Sequence, residues 1–191
     1  DVQGHFHPGH STRLAALSGL DRVIYYSSFC KALSPALRIG YIAADPVLLK
    51  PLLREKIYAV LSTAALNEYV MLEVLTAGRW RKHLERLQHR LVAAGHATTR
   101  QLAEAGMEFE QPGEGGLFLW GRVPAGVDVD LLVQDAYRNK IVLARGATFM
   151  AEGPAGAPPD MHLRINVAFG QHPRLASYLG ERLGALTKAH A

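Results

Sequence analysis

Ser27-Ser28-Phe29-Cys30-Lys31-Ala32-Leu33-Ser34-Pro35-Ala36-Leu37-Arg38-Ile39-Gly40-Tyr41-Ile42-Ala43-Ala44-Asp45-Pro46 is the stretch on which the reading of this 191-residue chain turns. Its left flank, Arg22 to Phe29, is rich in β-branched and aromatic residues and predicts a strand. Ile39 to Ala44 is a second short apolar run and predicts another. The loop between them holds serine, proline and a lysine that no strand needs. A free lysine is protonated near its reference pKa of about 10.4 and is no nucleophile. In a partly dry cleft near another cation it can lose that proton and form a Schiff base with an aldehyde. Ser28 offers a hydroxyl and Arg38 a guanidinium fork, both suited to a phosphate. Taken as single residues, a solvated lysine and a structural arginine fit the same loop.

Outward from this loop the texture is helical, then mixed. Asp45-Pro46 supplies a capping residue followed by proline at the first helical position. Val47 to about Ala77 keeps a helical pattern with a break near Leu61-Ser62-Thr63, and Gly78 is a stop. Arg79 to Ala105 predicts one long amphipathic helix, with Leu84, Leu87, Leu91, Ala94 and Thr98 on one face. Gly95 weakens it locally. After Gly106 come Met107 to Glu110 and Leu117 to Val123 as strands around a Gly-rich turn. Asp128 then opens a helix to about Asn139. Ile141 to Leu143 and Met161 to Val167 read as strands, and Pro173 to Leu186 as a last helix. That order predicts a compact α+β unit over 106–191. Residues 1–20 and 152–160 read as loops, and there is no internal repeat.

Composition narrows the classes. Hydrophobic residues make up 49% and charged residues 20%, the mix of a globular chain rather than a disordered one. No apolar run approaches the ~18 residues of a membrane span. The one cysteine, Cys30, excludes a disulfide scaffold and a multi-cysteine zinc site, and it suits a reducing cytoplasm. The net charge of +4 is compatible with an acidic ligand. No nucleic-acid-binding motif is visible. The opening DVQGHFHPGH has neither methionine nor signal-peptide features, and reads as mid-protein sequence.

The segment SSFCKALSPALRIGYIAADP resembles the lysine segment of fold-type I pyridoxal-phosphate (PLP) enzymes, the aspartate aminotransferase superfamily. The match is long and gapless. Three further segments agree with it. LNEYVMLEVLTAGRWRKHLERLQHRL and GEGGLFLWGRVPAGVD resemble the C-terminal half of this superfamily, most closely the MocR-type regulators of the GntR family. HLRINVAF resembles the segment whose arginine grips the substrate carboxylate. The resemblance implies that Lys31 forms a Schiff base with PLP, that Ser28 and Arg38 hold its phosphate, and that Arg164 holds a carboxylate. Cys30 departs from the family at a position where serine is usual, and a thiol is a weak donor. Asp1 matches the second aspartate of a family D-D-x-Y segment, and Gln3 then replaces its tyrosine. On that match the partner of the cofactor nitrogen would be lost from this chain, and the ring would be a poorer electron sink.

The resemblance divides the chain into a remnant of the PLP-binding large domain over 1–45, connecting helices over 46–105 and a small C-terminal domain over 106–191. It implies a cytoplasmic homodimer with an amino acid or related amine as substrate or effector. DNA is reached only through an upstream domain outside this chain. Two functions stay open: the effector domain of a regulator, and the C-terminal part of an active aminotransferase. Smaller readings concern His5, His7 and His10, spaced as a conceivable metal set, although such histidines are ordinarily only polar, and no metal is expected. Trp80 and Trp120 read as core or interface anchors. The basic run from Arg79 to Arg90, interleaved with Glu85, reads as a solvated helix face.

Overall fold

Two antiparallel strands, β1 (Tyr25–Ser28) and β2 (Gly40–Ala43), frame the lysine loop. The computed structural model describes residues 4–7, 12–110, 114–151 and 160–189. Asp1, Gln3, His10 and the Gly/Pro stretch 152–159 lie outside the described residues. The chain forms two compact units, residues 1–88 and 89–191.

The first unit opens on a short helix, α1 (Leu14–Ser18), where the sequence predicts loop. LAALS is built of good helix formers, and Gly19 at φ 59° ends it in the left-handed conformation. β1 and β2 pair with Ser28 opposite Gly40 and Ser27 opposite Tyr41. The glycine is required there: a Cβ on Gly40 would sit 2.8 Å from the Ser27 carbonyl oxygen. Asp45 then caps α2 (Pro46–Val60), its carboxylate accepting from the Val47 N–H at 2.8 Å. Leu61, at φ 59°, breaks the helix where expected. α3 (Ala65–Thr76) follows, and Gly78 at φ 65° separates it from α4 (Arg79–Glu104).

α4 begins in the first unit and ends in the second. There Leu91, Gly95, Thr98 and Leu102 are its buried positions, so Gly95 belongs to the packed face. The same unit holds three strands in the order β3 (Phe118–Arg122), β5 (His162–Asn166), β4 (Ala144–Arg145), all antiparallel neighbours. Alternation sorts the sheet. Leu119, Leu163 and Ile165 are buried, while Phe118, Trp120, His162 and Arg164 occupy the other face. α5 (Val129–Arg138) is capped by Asp128, which accepts from the Leu131 N–H at 3.0 Å. The short α6 (Val167–Gly170) and the last helix α7 (Pro173–Ala189) complete the unit. Leu179 and Leu183 of α7 are fully buried.

Two expected strands are corrected. Over Met107 to Glu110 only Glu108 bridges to Arg122. Ile141 to Leu143 is not a strand, because the Ile141 N–H turns back to the Ala136 carbonyl at 2.9 Å to close α5. Pairing starts only at Ala144.

Candidate functional site

Lys31 sits in the turn that leaves β1. The Leu33 N–H donates to the Phe29 carbonyl at 2.9 Å, so Cys30, Lys31 and Ala32 bulge as a single helical turn. The lysine is exposed and Ala32 beside it is buried. Ser34 accepts from the Ala36 N–H at 3.3 Å and starts a 3-10 turn, Pro35–Leu37. Arg38 ends that turn at φ 52° and redirects the chain into β2. A non-glycine residue in this conformation is uncommon and marks a constrained position. The Arg38 backbone bonds the Cys30 thiol, but among the described residues neither the Lys31 ammonium nor the Arg38 guanidinium has a hydrogen-bond or ion-pair partner, so both cations are available.

Ser28 and Cys30 are engaged inside the turn. The Ser28 hydroxyl donates to the Ile39 carbonyl at 3.3 Å and accepts from the Cys30 N–H at 3.1 Å. The Cys30 thiol points to the same Ile39 carbonyl at 3.7 Å. Hydrogen bonding to Ser28 holds that thiol below its ordinary pKa, with the nearby charge of Arg38 adding to the effect against burial. The donors present fit a phosphate-bearing aldehyde in part. The side chains of Lys31 and Arg38 are unencumbered, while the Ser28 hydroxyl is committed to the Ile39 carbonyl and would have to turn away from it to meet a phosphate. Cys30 supplies only a weak donor that is already directed elsewhere.

Residues far away in sequence brace the turn. His83 of α4 places Nε2 2.6 Å from the Ala32 carbonyl, one residue past the lysine. Asn67 of α3 donates to the Leu37 carbonyl at 3.0 Å, one residue before Arg38. An aromatic cluster lies beside them: Phe29 meets Trp80 edge-on at 5.3 Å and Tyr41 at 5.4 Å. His5 stacks on Phe29 and meets the Trp80 edge. Burial first, and then the charge of Arg13, lower the His5 pKa and favour its neutral ring. Gln88 donates to the His5 and His7 carbonyls at 3.0 and 3.1 Å and holds that segment down. None of these braces is legible in the sequence, because each joins residues 30 or more apart. The only signal is the placement of Asn67 and His83 inside segments with family resemblance.

Arg164 stands in the second unit, on the open face of the sheet. Its guanidinium carbon lies 3.5 Å from the ring centroid of Phe149 and 4.1 Å from that of Phe118. The aromatic rings cover the flat faces of the cation. Nε is buried with no partner among the described residues. Arg122, Arg145 and Arg182 of the same unit each pair with a carboxylate, Glu108, Asp130 and Asp135 respectively. Arg164 has no such pair among the described residues. With its faces blocked, it offers its edge, which is the geometry of a bidentate carboxylate contact. Trp120, 39% exposed, stacks on His162 at 5.4 Å and anchors the neighbouring stretch of that face. Among the described residues no group of three His, Cys, Asp or Glu side chains could hold a metal ion. No helix among them is long and apolar enough to cross a membrane.

A lysine turn between paired strands, three following helices and a three-stranded sheet bearing an arginine define an aminotransferase-like chain. The relatives agree. The chain is 33% identical over 144 residues to the 2-aminoadipate transaminase of Thermus thermophilus, an alignment spanning 73% of this chain and 36% of that protein. It is 32% identical over 134 residues to the HTH-type transcriptional regulator YdcR of Escherichia coli, spanning 68% of this chain and 28% of the regulator. The solved structure of LysN, an α-aminoadipate aminotransferase from Thermus thermophilus, superposes with a TM-score of 0.81 at 27% identity. That superposition covers 99% of this chain and 50% of LysN. No family model matches. The chain therefore belongs to the PLP-dependent aminotransferase superfamily and carries the C-terminal part of its fold, shared between aminotransferases and HTH-type regulators. It spans about a third of the length of the curated relatives it matches.

Proposed function

We propose that this chain is the aminotransferase-like effector domain of a MocR-type regulator of the GntR family. The observation that carries the reading is the braced turn presenting Lys31 and Arg38 without partners among the described residues. HTH-type regulators among the relatives support a regulatory output over turnover. In this reading residues 1–45 belong with the PLP-holding part, 46–105 connect, and 106–191 form the small domain. Lys31 would hold PLP covalently, with Arg38 and a rotated Ser28 toward its phosphate. PLP, when bound, supplies an electron sink for bonds at an amine carbon. Arg164 would fix the carboxylate of an amino acid ligand edge-on between Phe118 and Phe149. His83 and Asn67 act through the backbone, holding the carbonyls on either side of the two cations. The protein would act as a cytoplasmic homodimer and reach DNA through a domain outside this chain.

The second reading, part of a working aminotransferase, draws on the 33% identity to a transaminase. The sequence preceding Asp1 separates the two, because a winged helix-turn-helix there is required by the first. The cofactor role is tested in the polypeptide that includes the other half of the fold. Lys31→Ala should abolish the visible absorbance of lysine-bound PLP. Arg38→Ala should weaken PLP binding about ten- to a hundred-fold, the effect of losing one charge-assisted contact. Persistence of the band in Lys31→Ala would overturn the assignment. The 191-residue chain by itself should bind PLP weakly and show no transaminase activity.

A further inference from the structure

A cleft of about 470 Å³ opens in the second unit beside the end of α5, β5 and the start of α7. Lys140, His172 and Arg174 line it together with apolar surface from Val142, Phe169 and Leu175. Arg164 borders it as well, yet the cations that the reading above leaves unused are Lys140 and Arg174. No carboxylate is among the described residues that line it. Its volume falls within the ~300–1,000 Å³ of small-molecule clefts.

Hydrogen bonds at the helix ends set where these exposed polar residues leave the chain. α5 closes with the Lys140 N–H on the Tyr137 carbonyl at 3.0 Å and the Ile141 N–H on the Ala136 carbonyl at 2.9 Å. That closure puts Lys140 at φ 61°, where glycine ordinarily sits. The chain thus gives up backbone stability at a position that brings an ammonium to the cleft. The Arg174 guanidinium donates to the Asn139 carbonyl at 2.5 Å, which ties it to the same helix end. The Arg174 N–H donates to Nδ1 of His172, so the other ring nitrogen carries the proton and is a donor.

We propose that this cleft binds a small organic anion, a carboxylate head on Lys140 and Arg174 with an apolar body against Val142, Phe169 and Leu175. Its lining residues all belong to the second unit and include none of the lysine turn, and its occupation does not depend on PLP. Charge selects the head and the apolar wall selects the body, so an amine of the same shape is excluded.

The test is titration of the isotope-labelled 191-residue chain with hexanoate, hexylamine and inorganic phosphate, followed by amide shifts. Hexanoate should shift Ile141 and Leu175 saturably, hexylamine should not, and phosphate should bind more weakly than hexanoate. Lys140→Gly should weaken hexanoate about tenfold, the loss of one charge-assisted contact. The same change relieves the left-handed backbone, so its melting temperature should hold or rise, which separates binding from folding. Equal binding of hexylamine, phosphate as tight as hexanoate, or unchanged affinity in Lys140→Gly would each overturn the proposal. Shifts confined to Phe118 and Phe149 would also overturn it, because they would place the anion on Arg164 alone.

Discussion

α2 and α7 are similar in length and both follow a proline start, yet they live differently. α7 buries Leu179 and Leu183 completely, whereas α2 has no buried residue. α3 buries only Met71, although leucine, valine and tyrosine run around its whole circumference. Leu66 and Tyr69 are 74% and 67% exposed. A helix apolar all round is normally an interior helix. The second unit therefore closes its own core, while the first carries helices whose apolar residues have no cover within the unit. The chain spans half of the LysN structure it superposes on, so a relative of this fold holds as much folded chain again, enough to cover such faces. The division separates helices whose apolar face is buried within their own unit from helices whose apolar residues stay exposed.

Truncating one leucine in each unit should give the largest contrast. Leu183→Ala should cost about 2–5 kcal/mol in denaturant unfolding, the usual range for a buried leucine. Leu53→Ala in α2 lies at a site 59% exposed and should stay within about 0.5 kcal/mol. Equal losses would show that α2 shares the core of the folded chain.

Gly170→Ala comes next. A Cβ there would stand 2.5 Å from Thr98 Cγ2, where α6 crosses the buried face of α4. Overpacking of this kind costs about 1–3 kcal/mol. The Thr98 hydroxyl also donates to the Val167 carbonyl at 3.3 Å, so the threonine has little room to yield. A neutral substitution in thermal melts would mean that the second unit is looser than its burial implies.

How much is legible in the sequence differs between segments for a physical reason. Asp45-Pro46 and Asp128 announce their helices because a cap is a local hydrogen bond. The lysine turn is legible because SSFCKALSPALRIGY carries a specific resemblance. Ile141 to Leu143 misleads because β-branched residues also suit the return of a helix end, and only the Ala136 carbonyl decides between the two. α1 departs from the expected loop because LAALSG has both helix formers and a stop, signals that a polar, glycine-rich neighbourhood obscures. The clamp on Arg164 cannot be read, because Phe149 reaches it from a separate segment. The same holds for His83 and Asn67, which meet the turn only after the intervening helices have folded back on it.

At alkaline pH the second unit should lose stability through one phenol. Burial first, and then the Asp135 carboxylate 2.9 Å away, raise the Tyr178 pKa from 10.0 to about 12. The folded chain thus holds that proton more tightly than the unfolded chain does. The stability this contributes is fully present below about pH 10 and is lost as pH rises through about 12. The loss should reach about 3 kcal/mol at most, at roughly 1.4 kcal/mol for each pH unit of difference. Tyr178→Phe should flatten stability between pH 10 and 12 in the second unit. An unchanged slope would place the alkaline titration elsewhere.

The smallest expected effect gives the finest comparison, since Asp45 and Asp128 perform one function in two settings. Each carboxylate accepts a backbone N–H of the first helical turn, at 2.8 and 3.0 Å. Loss of such a cap costs about 0.5–2 kcal/mol when the helix belongs to the cooperative structure. α5 does, with Val129, Leu132 and Ala136 buried, so Asp128→Ala should lower the global unfolding free energy by about 1 kcal/mol. α2 buries nothing, and an isolated helix of its length is marginal in water. Asp45→Ala should therefore leave the main transition in place and instead reduce helical circular dichroism before it, as α2 frays. Hydrogen exchange at the amides of α2 should quicken by the same change, while those of α5 stay protected. If both caps lower the main transition equally, α2 is already integrated in the folded chain. The exposed leucines of the first unit would then not need the rest of the fold to hold their helix.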